Sequence, residues 1–351
     1  MSRHKCLILG ASGLVGQRLQ QRLANHPMFE IGAVAGSNAT SGNELDSIPW
    51  RLEEGRPSLP NLTILNANST KLSEECHKLG IKFAFSGLPS TVAKDVEKRL
   101  TESGIMVFSN ASSYRRKNGI PMIIPEINPH HFSNSMHYCA TNCTLIPLAI
   151  PVSAISKFSA IKSVKMRSEQ ALSGAGWELL FDEQALAGKV NPHIENEAEK
   201  TASELLYVMG DLSLEQITIA DFKTDIKCQR VARKDGHQVF VEVEIEHEIT
   251  LNSFIDEINS ITTFNELPSG PLKAVHIVDE IDPKLHLWTD GYDFESDPNP
   301  IINLKTGMAI VVGNITIDGT KISFSAYSHN TVRGAAGGLV YLAEFVLSKN
   351  N

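Results

Sequence analysis

Lys5-Cys6-Leu7-Ile8-Leu9-Gly10-Ala11-Ser12-Gly13-Leu14-Val15-Gly16 is the stretch that decides the fold. An apolar run ends at Gly10, two more glycines follow at three-residue spacing, and a polar–apolar helical pattern runs over 14–24. Strand, glycine turn and helix are the first half of a βαβ unit. Gly10, Gly13 and Gly16 permit a sharp turn and bring backbone N–H groups close to a ligand, and the N-terminus of the next helix favours a pyrophosphate. The spacing is G-x-x-G-x-x-G rather than the commoner G-x-G-x-x-G, so the strand–turn–helix setting points to a dinucleotide more than the glycines alone do. Gly10, Ser12, Gly13, Leu14, Val15 and Gly16 are the expected cofactor contacts.

Outward from this turn, residues 31–35, 62–65, 83–85 and 105–108 read as short buried strands, and 91–103 as a helix with Pro89 and Ser90 near its start. Short strands alternating with helices predict an α/β, Rossmann-like, doubly wound parallel sheet. The second strand should end near Ala35-Gly36-Ser37. An acidic residue there would hold the adenosine ribose of NAD, and none is present. Ser37, Thr40 and Ser41 could donate to a 2′-phosphate, although no arginine or lysine occurs between Glu30 and Trp50. NADP is the expected cofactor by a small margin, and NAD stays open.

The pattern then changes. Residues 161–167 are strand-like, and 238–251 alternates Val239, Val241, Val243 and Ile245 against Glu242, Glu244 and Glu246. That is a long strand with one solvated face, which favours antiparallel pairing. Residues 308–312 and 314–317 read as another pair of strands. An α+β unit with a mixed, largely antiparallel sheet follows from this. The last helix, 332–347, is read as apolar on one face, and its small residues at Gly334-Ala335-Ala336-Gly337-Gly338 suit close packing on the first unit. The expected division is a dinucleotide-binding domain of 1–142 with 329–351, and a catalytic, substrate-binding and dimerisation domain of 143–328.

A chain of 351 residues suits two cores. Its 42% hydrophobic and 21% charged residues are ordinary for a soluble globular protein. A net charge of −8 lacks the basic field of a general nucleic-acid binder, so no nucleic-acid partner is expected. The opening residues do not read as a charged-then-apolar leader, and no apolar run is long enough to span a bilayer, so the expectation is a cytoplasmic protein without a membrane partner. Five cysteines, scattered and odd in number, do not read as a disulfide framework. A free thiol persists in a reducing compartment.

Candidate chemistry centres on Ala140-Thr141-Asn142-Cys143-Thr144. Cys143 opens an apolar helical stretch, and a helix N-terminus lowers a thiol pKa. The same N–H groups and the Asn142 amide could hold an oxyanion. On this segment alone Cys143 reads equally as a nucleophile and as a buried structural cysteine. Cys139 reads as a strand-borne core residue, and a metal site built on the two cysteines lacks further ligands, so no metal is expected. His237, beside a glycine turn, reads as an acid–base group or as a surface histidine. Arg230 reads as a two-pronged carboxylate holder or as a solvated charge.

Taken in order, these pieces resemble aspartate-semialdehyde dehydrogenase in its archaeal and fungal branch. The resemblance covers nearly the whole chain and rests on Gly10 to Gly16, Phe85-Ser-Gly-Leu-Pro-Ser90, Ser109-Asn-Ala-Ser-Ser-Tyr-Arg115, Ile124-Pro-Glu-Ile-Asn128, Asn142-Cys143-Thr144, Gln170-Ala-Leu-Ser-Gly-Ala-Gly176, Glu204, the segment from Arg230 to His237, and Asn330-Thr-Val-Arg-Gly-Ala-Ala336. The resemblance implies Cys143 as nucleophile, His237 as general acid/base, and Gln170 as the residue orienting the acyl intermediate. It implies Arg230 and Glu204 as holders of the substrate's α-carboxylate and α-amino group, and Arg115 as holder of the acyl phosphate. Ser173, Gly174 and Asn330 become further cofactor contacts, Asn330 near the nicotinamide. The implied activity is reversible, NADPH-dependent reduction of aspartyl phosphate to aspartate semialdehyde and phosphate through a Cys143 thioester, in a homodimer or homotetramer.

Three positions depart from the family pattern. Tyr207 stands where the family has a phosphate-binding lysine, with Arg116 as a candidate substitute. Ala39 and Asn43 stand where it has basic residues after the second strand. Val231-Ala232-Arg233-Lys234-Asp235-Gly236 replaces a more apolar run. A relative acting on an acyl-CoA, similar to malonyl-CoA reductase, and a catalytically silent paralogue are the competing expectations.

Overall fold

The computed structural model describes residues 3–213 and 216–349. Strand β1 (His4–Leu9) runs into the glycine turn, α1 (Leu14–Ala24) follows, and β2 (Phe29–Gly36) lies parallel to β1. The first sheet is completed by β3 (Leu65–Asn66), α2 (Leu72–Lys78), β4 (Phe83–Ser86), α3 (Ser90–Glu102), β5 (Met106–Ser109) and β6 (His137–Cys139). Its order is β3-β2-β1-β4-β5-β6, parallel throughout. The winding reverses between β1 and β4, which opens a crevice at the strand ends where the glycine turn sits.

One expected strand is displaced. Residues 62–64 lie outside the parallel sheet because their backbone pairs with the loop after β2: Gly42 N–H donates to Ile64 O (2.8 Å) and Ile64 N–H to Asn43 O (2.9 Å). Only Leu65 and Asn66 reach β2.

Helix α4 (Leu145–Ser156) leads into β7 (Ile161–Gln170). Short helices α5 (Trp177–Leu180) and α6 (Glu183–Leu186) precede α7 (Glu197–Val208) and a hairpin, β8 (Asp211–Ser213) with β9 (Gln216–Thr218). Then come β10 (Lys223–Arg230), β11 (His237–Ile245), α8 (Leu251–Ser260), β12 (Val275–Ile277), β13 (Ile310–Asp318), β14 (Lys321–Ser328) and α9 (Gly337–Lys349). The second sheet has the order β10-β7-β11-β14-β13-β12, with antiparallel pairs at its centre and a parallel pair at each edge.

Val239, Val241, Val243 and Ile245 of β11 are buried, as the alternation requires, while Glu242 and Glu244 face outward. The strand stops at Ile245 rather than 251, because the Thr250 side chain caps α8 by accepting from Ser253 N–H. The two strands expected at 308–312 and 314–317 are one strand, β13. Asn314, with φ 55°, breaks the register between Gly313 and Thr316.

Helix α4 is buried on every face and packs against β11, β14, α7 and α8, forming the centre of the second core. A π-helical turn, Val332–Ala336, leads into α9, which packs on α1 and β5. Contrary to expectation α9 is buried all round, with Leu339, Val340, Tyr341, Leu342, Ala343, Phe345 and Val346 enclosed. The polar side of α1 is covered as well: Arg18 bonds to Thr331 Oγ1 at 3.2 Å and pairs with Glu54. All five cysteines are free. Among the described residues no helix is long and apolar enough to cross a membrane, and no group of three or more His, Cys, Asp or Glu is placed to hold a metal.

Candidate active site

Gly10 adopts φ +79°, and a Cβ there would stand 3.0 Å from Gly87 O. A Cβ on Gly16 would collide with Gly10 O and lie 2.8 Å from Ala11 Cα. Helix α1 starts with no side-chain cap and no acidic residue in its first turn. Its positive end and free N–H donors therefore remain available to an anion, in a cradle that any side chain would fill. Ser12, Leu14 and Val15 lie in the same turn, and Trp177 Nε1 of α5 donates to Ser12 O at 3.1 Å. Leu14 packs with Leu172, Leu180 and Ala185. The second unit thus reaches across to the nucleotide turn.

At the open end of β2 the chain doubles back. Thr40 N–H and Ser41 N–H both donate to Ser37 O, at 3.1 and 3.0 Å. Ser37 is exposed and Thr40 and Ser41 are half-buried, so three hydroxyls border the crevice without a basic partner in that loop.

Cys143 lies two residues before the start of α4, with Thr144 between them. Asn142 Oδ1 accepts from Thr144 N–H (2.7 Å) and Leu145 N–H (3.0 Å), while its amide donates to Thr201 Oγ1 (2.8 Å). The Asn142 side chain thus caps the helix and ties it to α7, with one of its two amide N–H donors engaged on Thr201. At the thiol, burial outweighs the lowering effect of the backbone N–H. Burial pushes Cys143 up to about 12, Glu197 adds to the rise, and Arg115 and Arg230 offset part of it. The turn at 332–336 closes on the other side. A Cβ on Gly334 would stand 2.6 Å from Cys143 Cβ, so the small-residue run before α9 exists partly to admit the cysteine.

Arg230 and Gln170 are register partners at the ends of β10 and β7. Arg230 Nη1 donates to Ala171 O at 2.7 Å. His237 begins β11, is fully enclosed, and its Nδ1 accepts from Ala171 N–H at 3.1 Å. That bond assigns the neutral ring's proton to Nε2, which is buried with no protein partner. Burial, then Arg230 and Arg233, hold the imidazole well below its ordinary pKa. Gly174 makes this convergence possible: a Cβ there would lie 2.8 Å from Arg230 Nη1 and 3.1 Å from the His237 ring. Asn330 fastens the same wall, accepting from Gly236 N–H at 2.7 Å and donating to Ser173 Oγ at 2.8 Å.

The remaining charged residues divide differently from expectation. Arg115 and Glu204 pair with each other at 2.9 Å, nearly enclosed. Arg115 Nη2 donates to Asn110 O and Glu204 Oε2 accepts from Asn142 N–H, both at 2.7 Å. Tyr207 does not replace the missing lysine, because its ring sits edge-on to His131, whose Nε2 bonds Gly210 O. Arg116 lines a separate cavity with Tyr207 and Lys117. Arg233 is a structural clamp, bonded to Gly236 O (3.0 Å) and Glu169 O (2.9 Å), and Lys234 pairs with Glu53 at the surface. Sequence reasoning missed Glu197, whose Oε1 accepts from Gln170 Nε2 at 3.3 Å. The available signal was its position seven residues before Glu204, two turns along the same helix face.

A nucleotide cradle, a thiol and an imidazole with a bare Nε2 beside a guanidinium suit reduction of an activated acyl group, and comparisons agree. Residues 5–135 match the family model described as semialdehyde dehydrogenase, NAD binding domain. The chain is 30% identical to an aspartate-semialdehyde dehydrogenase of Archaeoglobus fulgidus over 99% of both chains. It superposes on the Candida albicans aspartate-semialdehyde dehydrogenase solved with NADP at TM-score 0.81 and 25% identity, covering 99% of each. A malonyl-CoA reductase (NADP) of Metallosphaera sedula is 26% identical over 98% of this chain and 97% of its own length. Likeness of this extent to the first two, end to end, means that the chain belongs to the aspartate-semialdehyde dehydrogenase family.

Proposed function

We propose that this chain catalyses the reversible, NADP-dependent reduction of 4-phospho-L-aspartate to L-aspartate 4-semialdehyde and phosphate. The observation that carries the reading is the meeting of Arg230 and His237 at Gly174, with Cys143 in the field of Arg230. Cys143 sulfur attacks the acyl carbon, the bond from that carbon to the phosphate oxygen breaks, the departing phosphate carries off the thiol's proton, and a thioester remains on the enzyme. A thioester accepts hydride far better than a carboxylate does, which is why the covalent step is needed. The dinucleotide supplies that hydride. His237 donates its Nε2–H as a hydrogen bond to the oxyanion that hydride addition creates. That oxyanion re-forms the carbonyl as the carbon–sulfur bond breaks, the aldehyde leaves, and the Cys143 thiolate takes up a proton from water. Gln170, steadied by Glu197 and Ser168, orients the acyl group.

The uncapped start of α1 with Gly10, Ser12, Gly13, Leu14, Val15 and Gly16 suits the pyrophosphate. Ser37, Thr40 and Ser41 suit the adenosine ribose, and Ser173, Gly174 and Asn330 the nicotinamide end. The relative solved with NADP supports the phosphorylated cofactor. With no basic residue on the loop after β2, the preference over NAD should be narrow. The domain division is 1–142 with 329–351 around 143–328. A homodimer or homotetramer forms through the outer face of the second sheet, where Arg167 stacks on Phe240. The compartment is the cytoplasm.

One observation favours a second reading. Tyr207 has left the position of the phosphate-binding lysine, and both terminal nitrogens of Arg115 are engaged, so an acyl-CoA is the competing substrate. Steady-state assays separate the two. Turnover of aspartate semialdehyde should require phosphate and run faster with NADP than NAD. Turnover dependent on coenzyme A and indifferent to phosphate would contradict the first reading.

A further inference from the structure

One short stretch of chain touches the surroundings of both reacting groups. Asn330 accepts from the N–H of Gly236, the residue before His237, at 2.7 Å. The backbone at Gly334 lies so close to the cysteine that a Cβ there would stand 2.6 Å from Cys143 Cβ. Between these contacts the chain enters the π turn. Gly334 N–H donates to His329 O and Ala336 N–H to Thr331 O, each to the carbonyl five positions back and each at 3.1 Å. Such turns are rare and concentrate at functional sites.

Arg333 stands inside this turn. Its side chain is 2% exposed, and Nη2 donates to Glu126 Oε2 at 2.8 Å. Its guanidinium also lies 5.3 Å from the centre of the Tyr341 ring on α9. Glu126 belongs to a loop braced from within. Ile124 N–H donates to Asn128 Oδ1 at 2.8 Å, the Asn128 amide to Met122 O at 2.9 Å, and Ile127 N–H to Ile124 O at 2.9 Å. The loop is tied in turn to β6, the strand that leads to Cys143, because Cys139 N–H donates to Pro121 O at 2.9 Å. Stability alone does not account for a buried ion pair, since apolar residues of similar volume often serve as well or better. What the pair adds is direction: a charge-assisted hydrogen bond fixes distance and angle where apolar contacts slide.

We propose that Arg333, locked on Glu126, is the positioning residue that spaces the Cys143 thiol from the His237 imidazole. The pair pins the π turn to the frame that carries Cys143. Gly334 then bears on the cysteine, and Asn330, at the other end of the stretch, holds the start of the strand that carries His237. The inference rests on the proposed reaction in taking Cys143 and His237 as the reacting groups. Arg333 and Glu126 act through the backbone they hold.

The test compares wild type, Arg333→Met, Arg333→Met combined with Glu126→Leu, and Glu126→Asp. Arg333→Met alone strands a buried carboxylate and should lower the thermal midpoint, whereas the double variant removes both charges and should regain it. The kcat of the double variant on aspartate semialdehyde with phosphate and NADP should nonetheless stay about 10- to 100-fold down, with KM and the cofactor dissociation constant within about threefold of wild type. Glu126→Asp keeps the charges and shortens the tether by a methylene. It should show a smaller loss of kcat at an unchanged midpoint, and it carries the test if the double variant does not fold. Alkylation of Cys143 by iodoacetamide needs no turnover. With the turn released, Gly334 no longer shields the cysteine, and the double variant and Glu126→Asp should both react faster than wild type. Wild-type kcat and alkylation in the folded variants, or a loss of kcat that only follows a loss of stability, would overturn the positioning role. Wild type inert toward aspartate semialdehyde, with alkylation still accelerated in the variants, would sink the proposed reaction and leave the positioning role standing.

Discussion

At Gly174 an added methyl would stand 2.8 Å from Arg230 Nη1 and 3.1 Å from the His237 ring. Either group must then move, and a displacement of about 1 Å in a reacting constellation lowers rates about 100-fold. Gly174→Ala should therefore reduce kcat/KM on that scale while the thermal midpoint stays within a few degrees of wild type, a combination that steady-state kinetics and calorimetry resolve. Unchanged kinetics would mean that the two side chains do not act together. The motif around Gln170 made this glycine visible in the sequence as a cofactor contact. Its use as a gap for two charged side chains was not visible, because Arg230 and His237 lie more than fifty residues downstream and meet it only across the sheet. Glu197 was overlooked for a related reason. The resemblance pointed to Glu204, and nothing in the order of residues revealed that Arg115 and the Asn142 backbone engage it.

Among the elements, α4 shows how a local residue sets the position of the nucleophile. The N–H groups of Thr144, just before the helix, and of Leu145, its first residue, rest on Asn142 Oδ1, and the Asn142 amide holds Thr201 of α7. Asn142→Ala removes the cap and strands the Thr201 hydroxyl, for an expected loss of about 1–2 kcal/mol. Asn142→Ser keeps an acceptor at the helix end and should recover most of it. Denaturant midpoints of the three proteins decide the matter, and equal midpoints would contradict the capping role. The strands of the first sheet were legible because each is a short buried apolar run between turn signals. Residues 62–64 misled because an apolar segment can pair with an adjacent loop as readily as with a sheet. The extent of β11 and the unity of β13 turn on single residues, Thr250 as a cap and Asn314 in the left-handed region, that hydrophobic alternation does not register.

Across the whole molecule, two enclosed histidines tie stability to pH. Burial and neighbouring cationic groups hold His237 and His329 well below the ordinary histidine pKa, so they stay neutral in the native protein. The unfolded chain takes up protons below about pH 6.5 that these native rings refuse, and stability falls as pH falls. Asp235, raised by burial, acts in the opposite sense, as one group against two. The thermal midpoint should therefore drop between pH 7 and pH 5, and a flat or rising profile would contradict the buried, neutral assignment. Two cores and a return of the C-terminal helix to the first unit were legible from length and patterning. The enclosure of α9 on all sides was not, because its partners α1 and β5 are distant in sequence and the polar side of α1 is covered too. The same packing delivers Gly334 to Cys143 and Asn330 to the wall that holds His237. Everything converges on the sulfur of Cys143 as the atom that carries the acyl group. Peptide mass mapping after mixing the enzyme with aspartyl phosphate in the absence of reduced cofactor tests this most directly. An acyl adduct confined to the Cys143 peptide, discharged on adding NADPH and absent from Cys143→Ser together with turnover, is the predicted result. Turnover that survives in Cys143→Ser, with no adduct on the wild-type peptide, would contradict it.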